Sequence, residues 1–309
     1  MTLPRYAYLG PEGTFTEAAL RLMVDASTAE FMPVIDVPAA LAAVRSGDVD
    51  YAVVAMENTV EGGVTATLDT LAAGAPLVIL GEIVLPVSFE LVATQPFGLD
   101  EISSVAAHSH ALAQCRRWLA ANLPDATQLT ASSNAAAAQA LAEGTGEYDA
   151  ALAPPGSAQR WGLTLIAQNV ADSAQAATRF VKVGRPGTLP APTGADKTTL
   201  VVHLPSDKAG SLLEMLEQFA ARGVNLSRIE SRPIGDKPGE YSFSMDALGH
   251  IAEARVAEAL IGLKRTCPVV VFLGSYPAAH AELTPVLPGT ADADFAAAHA
   301  WVEELRSGN

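Results

Sequence analysis

Cysteine is scarce: the 309 residues hold two, Cys115 and Cys267, far apart in the chain. That excludes a disulfide framework and a cysteine-based zinc set, and both are read as reduced, structural thiols. Long apolar runs are missing too. None approaches the roughly 20 residues needed to cross a bilayer. The richest stretch, residues 76–91, is interrupted by Glu82, Pro86 and Glu90. The opening Met1-Thr2-Leu3-Pro4-Arg5 lacks the charged and apolar regions of an export signal, so a cytoplasmic protein is expected. Positive charge is short as well: 19 Lys and Arg stand against 34 Asp and Glu, a net −15. This balance argues against nucleic-acid partners and against an anionic membrane surface. It also requires that any anionic substrate be met by local donors against an unfavourable global field.

What is present is a globular composition, half hydrophobic and 17% charged, long enough for two domains. Residues 6–9 form a short apolar strand. Gly10-Pro11-Glu12-Gly13 is a turn, and 14–23 reads as a helix with Phe15, Ala18, Ala19 and Leu22 on one face. Residues 37–45 read as a helix closed by Gly47. Residues 51–56 are a near-continuous apolar run, as in a strand buried on both faces, and 64–71 are helical. This βαβ rhythm implies a mostly parallel sheet. A second series follows: strand or crossover at 77–91, one strong helix at 111–121 (Leu112, Cys115, Leu119) and another at 134–141. It continues with 150–153, a short helix near 156–161, and strands at 163–167 and 179–183. The expectation is one domain, 3–184, of two α/β lobes around a cleft.

Residues 184–196 contain three prolines and three glycines, a linker signal, and the linker is placed at 185–197. Beyond it, Leu200, Val202 and Leu204 alternate as in a strand, and Leu212, Leu213, Leu216, Phe219 and Ala220 form a helical stripe. Strands at 225–234 and 240–248, a helix at 251–263 and a strand at 269–273 complete a βαββαβ, ferredoxin-like unit, 198–276. The tail, 277–309, is partly helical at 293–305.

Several clusters carry chemistry. The turn before Thr14 and Phe15 joins a strand to a helix, where free amides bind anions; the plainer alternative is Thr14 as an N-cap. Glu57, Asn58 and Thr59 stand at the carboxyl end of a buried strand, where ligand sites of α/β sheets gather, although Asn58 and Thr59 could simply cap the next helix. Ser132-Ser133-Asn134 could cap a helix, bind an anion, or both. Arg179 offers a planar fork suited to a carboxylate or to an ordinary salt bridge. His108 and His110, two apart, would not share a helix face and are read as structural.

The segment Tyr8-Leu9-Gly10-Pro11-Glu12-Gly13-Thr14-Phe15-Thr16 resembles the opening signature of the prephenate dehydratase family. Glu57-Asn58-Thr59-Val60-Glu61-Gly62-Gly63-Val64 with Thr67-Leu68-Asp69 is similar to its second block, and Thr178-Arg179-Phe180 to its third. Gly210-Ser211-Leu212-Leu213 and Asn225-Leu226-Ser227-Arg228-Ile229-Glu230-Ser231-Arg232-Pro233 resemble the phenylalanine-binding segments of that family's ACT domain. Ala176 stands where many members carry Asn, Thr59 where many carry Ser, Ser88 where many carry His, and Gly210-Ser211 replaces the commoner Gly-Ala.

The resemblance implies a two-lobed, periplasmic-binding-protein-like (type II) α/β catalytic domain followed by a ferredoxin-like ACT domain. It implies conversion of prephenate to phenylpyruvate, carbon dioxide and water, with no metal and no cofactor. On that basis Thr178 would hydrogen-bond the departing hydroxyl, with Glu57 as the alternative proton source. Arg179 and the helix-start amides near Thr14 and Ser133 would take the carboxylates. Asn58 and Thr59 would orient the substrate, with Phe15, Ser132 and Phe180 also at the site. The allosteric ligand would be L-phenylalanine, bound by Gly210, Ser211, Leu212, Leu213, Asn225, Leu226, Glu230, Ser231, Arg232 and Pro233 between paired ACT domains of a homodimer or homotetramer. The alternatives are arogenate dehydratase, and a non-catalytic sensor that binds an amino acid or carboxylate.

Overall fold

The structure, a computed structural model, describes residues 2–204, 208–234, 241–280 and 282–308. The chain opens with β1 (Arg5–Leu9), α1 (Phe15–Met23), β2 (Glu30–Val34), α2 (Val37–Ser46), β3 (Tyr51–Asn58), β4 (Gly62–Gly63), α3 (Thr65–Ala72) and β5 (Val78–Pro86). β1 pairs in parallel with β2 and with β3, as the βαβ rhythm predicts. Ala52, Val53 and Val54 of β3 have no exposed surface, which is why that strand reads as an unbroken apolar run. Asp36 caps α2 by accepting the Ala39 amide, and Gly47 ends it in the left-handed conformation. β2 has no legible pattern. None of its residues is buried and it contains Pro33, which is tolerated because β2 is an edge strand.

The second lobe comprises β6 (Glu90–Ala93), β7 (Ser104–Ala107), α4 (Ser109–Gln114), α5 (Arg116–Asn122), β8 (Thr127–Thr130), α6 (Asn134–Ala142), β9 (Ala150–Ala153), α7 (Ser157–Trp161) and β10 (Thr164–Ala167). The chain then returns through β11 (Ala177–Gly184). The first sheet runs β2-β1-β3-β11-β5 with β4 paired to β3, and the second β10-β6-β9-β7-β8. The chain therefore passes between the lobes twice. Where the two passes meet, the Val87 amide donates to the Ala176 carbonyl at 2.7 Å. This is the two-lobed, type II binding-protein-like arrangement.

Two helical readings in these lobes need correction. α1 buries Thr16, Glu17, Ala19 and Leu20, while Leu22 is 64% exposed. The face is rotated because the buried Glu17 carboxylate accepts the Gly13 amide at 2.5 Å and Arg21 Nε at 2.7 Å. The helix expected over 111–121 is two helices. Asp172 enters the ladder: its amide donates to the Gln114 carbonyl at 2.7 Å, and its carboxylate accepts the amides of Arg117 and Trp118 at 2.9 and 3.0 Å.

The C-terminal part contains β12 (Asp196–His203), α8 (Ser211–Ala220), β13 (Leu226–Pro233), β14 (Tyr241–Leu248), α9 (Ala254–Thr266) and β15 (Val269–Pro277), with α10 (Asp292–Ser307) beyond. Its antiparallel sheet runs β13-β14-β12-β15, the expected βαββαβ order. Leu200, Val202, Phe243, Met245 and Ala247 alternate onto one face and pack with Met215, Phe219, Val256, Ala259 and Leu263 of the helices. The predicted stripe on α8 is offset: Ser211, Met215 and Phe219 are buried, and Leu213 is 61% exposed. Glu240, placed in a strand by the sequence, lies outside the described residues.

The chain forms two compact units, Met1–Thr67 with Ile83–Phe180, and Leu68–Glu82 with Val181–Asn309. A single cut at the Pro- and Gly-rich linker does not describe this division, because Leu68–Glu82 folds with the C-terminal part. Within the second unit, the buried Glu82 carboxylate accepts from Lys197 Nζ at 2.8 Å and from the Ala279 amide at 2.9 Å. Asp69 meets Arg232 at 3.3 Å. Gly274, at φ +127°, lies so close to the Ile79 backbone that a Cβ there would collide with the Ile79 carbonyl oxygen. Both cysteines are buried and unbonded, and burial pushes the Cys115 thiol up to about 12, with Asp172 adding to it.

Candidate active site

The end of β3 and the start of β11 come together across 120 residues of sequence. Asn58 Nδ2 donates to Thr178 Oγ1 at 2.8 Å. The Thr59 amide donates to the Ala177 carbonyl, and the Ala177 amide donates to the Thr59 hydroxyl, both at 2.9 Å. The other end of the Asn58 carboxamide accepts the amides of Val60 and Glu61 at 2.9 and 3.2 Å, which shapes the turn into β4.

Thr178 and Phe180 line a cavity of about 580 Å³ that also touches Asn58 and Phe15. Arg179, between them on the strand, does not line it, as alternation along a strand requires. Arg179 is buried, with Nη1 3.6 Å from Glu57 Oε2. Glu57 and Thr59 are likewise outside the lining. One wall is apolar: Phe15 and Phe89 meet edge to face with ring centres 5.7 Å apart, beside Leu9 and Val87.

The helix starts expected to receive anions carry their own caps, each taking one amide. The Thr14 hydroxyl donates to the Leu9 carbonyl at 2.9 Å and accepts the Glu17 amide at 3.2 Å. Ser133 accepts the Ala136 amide at 3.0 Å, and neither it nor Ser132 lines the cavity.

The opposite wall holds polar residues that were read as structural or passed over. His108 and His110 both line the cavity, with Glu61, Gln114 and Asn134. Glu61 Oε2 is 2.8 Å from His110 Nδ1, and Glu61 Oε1 accepts Gln114 Nε2 at 3.1 Å. His108 caps α4, its Nδ1 accepting the His110 amide at 3.3 Å while its own amide donates to Asn134 Oδ1 at 2.8 Å. Burial lowers the His108 pKa, and neighbouring His110 lowers it further, against the pull of Glu61. With Nδ1 accepting, the ring is the neutral tautomer that keeps its proton on Nε2. Only a spatial view reveals this wall, since Gln114 lies 53 residues from Glu61, and Asn134 lies 26 from His108.

In the C-terminal part, α8 begins at Gly210, whose φ of +93° suits glycine and whose missing side chain leaves open space. The next residue, Ser211, is buried, and its hydroxyl has no hydrogen-bond partner among the described residues. On β13, Arg228 bonds Asp246 at 2.9 Å and Ser244 at 2.7 Å, while Arg232 lies 3.8 Å from Glu230. Leu212 and Leu213 are exposed, as are Asn225, Ser231 and Pro233, whereas Leu226 and Glu230 are half-buried.

Residues 6–188 match the family described as prephenate dehydratase, and residues 198–265 match the ACT domain. The chain belongs to the prephenate dehydratase family. Enzymes of this family are hydro-lyases. The prephenate dehydratase of Amycolatopsis methanolica is 44% identical over 99% of this chain and 99% of its own length. The crystal structure of the prephenate dehydratase from Arthrobacter aurescens in complex with L-Phe is 50% identical, with a TM-score of 0.92, over 98% of this chain and 99% of that one. A more distant structure, the quorum quenching acylase GqqA, is 28% identical with a TM-score of 0.77 over 89% of this chain and 98% of that one. Related folds thus carry different named chemistries, and the reaction has to be argued from the site.

Proposed function

We propose that this chain dehydrates and decarboxylates prephenate to phenylpyruvate under feedback control by L-phenylalanine. The observation that carries the reading is the hydrogen bond from Asn58 to Thr178 at the cavity wall. Because Asn58 donates to Thr178 Oγ1, the hydroxyl proton is left for a second acceptor. In the reading proposed, that acceptor is the ring hydroxyl of prephenate. The bond from the ring to its carboxylate breaks, carbon dioxide leaves, and the electron pair enters the ring. The C–O bond on the far side breaks, and the oxygen takes a proton and departs as water, which completes the aromatic ring. A threonine hydroxyl is a poor acid near neutral pH, so Thr178 acts by orientation and proton relay. Phe15, Phe89 and Phe180 pack the ring. Arg179 works at one remove, supplying positive potential from behind the strand that carries Thr178. Glu57, held near Arg179 and off the cavity wall, is the weaker candidate for the proton.

For the regulatory part, the unpartnered Ser211 hydroxyl and the Gly210 turn suit an amino-acid carboxylate at the start of α8. Glu230 to Pro233 would supply the facing wall from a second ACT domain, in a homodimer or homotetramer. The L-Phe complex of the Arthrobacter relative supports phenylalanine as the ligand. The test is phenylpyruvate formation by purified protein with and without L-phenylalanine. Turnover that phenylalanine suppresses is expected. Turnover indifferent to phenylalanine removes the regulatory reading, and no turnover of prephenate directs the same assay to arogenate.

A further inference from the structure

The cavity carries a second set of polar groups that the dehydration itself does not call on. Glu61 stands in the turn between β3 and β4, on the first lobe. His110 and Gln114, four residues apart and so on one face of α4, stand on the second. One Glu61 oxygen accepts Gln114 Nε2 at 3.1 Å and the other lies 2.8 Å from His110 Nδ1, and all three side chains line the cavity. On the second lobe the His110 ring lies against His108, with centres 4.8 Å apart at 90°, and Asn134 holds the His108 amide. On the first lobe the Glu61 amide bonds Asn58 Oδ1, and Asn58 Nδ2 bonds the Thr178 hydroxyl. A continuous series of hydrogen bonds therefore runs from Thr178 through Asn58 and Glu61 to α4.

We propose that Glu61, clasped by His110 and Gln114, is a positioning residue for the Asn58–Thr178 pair. The inference rests on the reading of Thr178 as the group that meets the departing hydroxyl. Residues 59–62 are exposed, so beyond the Thr59–Ala177 pair and the β3–β4 pairing little packing holds this turn. Asn58 stands at its base and must keep one rotamer to aim the Thr178 hydroxyl. A carboxylate held by two donors on the facing lobe fixes the turn, and with it Asn58. Displacement of a catalytic group by about 1 Å costs on the order of 10²-fold in rate, so a clasp outside the chemistry can govern kcat. A simple electrostatic role for Glu61 makes the opposite prediction. A carboxylate that merely repelled a dianionic substrate would raise KM and leave kcat alone.

The experiment compares Glu61→Ala, His110→Ala, the double variant and His110→Gln with the wild type in prephenate turnover, with melting temperature as a folding control. His110 is largely solvent-exposed, so its replacement leaves the fold intact. Glu61→Ala is expected to lower kcat about tenfold with KM changed less than about threefold. His110→Ala should lower kcat less, because Gln114 still holds one oxygen. The double variant should match Glu61→Ala alone, since His110 then has nothing to hold. His110→Gln, whose carboxamide can donate to Glu61, should recover most of the loss. Additive losses, an unchanged kcat, or a fall in KM on removing Glu61 overturn the proposal. If the wild type leaves prephenate intact, the functional reading is what fails, and this is seen before any substitution is made.

Discussion

At the scale of single residues, the proposed reaction depends on a hydroxyl whose direction is set by a neighbour. Thr178→Ala is expected to lower kcat by about 10²-fold or more while KM moves little, because the interaction belongs to the transition state. Equal turnover by that variant would remove Thr178 from the reaction. Cys115 makes a chemical contrast. Its thiol, pushed up to about 12 by burial, should resist alkylation by iodoacetamide at pH 8 until denaturant is added, which mass spectrometry of the modified peptide reads directly. The residues legible in sequence were those that stand in short motifs resembling the family's: Asn58, Thr178 and Phe180 all reach the cavity wall. His110 and Gln114 were not, and Glu61 and Asn134 stood inside noted segments without a role of their own, because what brings these four together is a partner on another element. Thr14 and Ser133 each cap their own helix, the plainer of the two readings that the sequence offered for them.

Elements fail to follow their own pattern where a distant side chain intervenes. The helix expected over 111–121 has adequate propensity throughout, yet Asp172 breaks it in two by inserting its amide and carboxylate into the ladder. The α8 stripe was misplaced because Leu213 looks like core but is exposed. Asp149 joins two strand starts by accepting from the Ser103 and Ser104 hydroxyls at 2.7 and 3.0 Å. The Ser103 hydrogen bonds hold its carboxyl below the ordinary value, against the opposing effect of burial. A carboxyl depressed on folding adds stability above its unfolded value of about 3.9 and loses it as pH falls through the lower folded value. Asp149→Ala should therefore lower Tm at pH 7, by about 1 kcal/mol of stability, and the gap to wild type should close towards pH 3. A gap that persists undiminished in acid would assign the loss to packing. Lys197→Met removes one partner of the buried Glu82 and is expected to cost about 2 kcal/mol in denaturant unfolding, more than a surface pair would.

At the scale of the whole molecule, the net charge of −15 opposes the approach of a dianion. Raising ionic strength from about 10 to 150 mM should therefore raise kcat/KM for prephenate, because salt screens repulsion between distant charges. A fall over the same range would mean that local positive potential at the cavity outweighs the global field. The two α/β lobes and the βαββαβ order were both readable from apolar periodicity and from the Pro- and Gly-rich stretch. What periodicity could not reveal is that Leu68–Glu82, early in the chain, folds with the late part. That feature bears on modularity. A gene fusion or deletion with its junction near residue 190 would look clean on paper, yet it would leave Glu82 without Lys197 on one side of the junction and Gly274 without the Ile79 backbone on the other. The C-terminal half is thus not a detachable cassette. Its graft onto a foreign partner requires fifteen residues that the gene places among those of its neighbour.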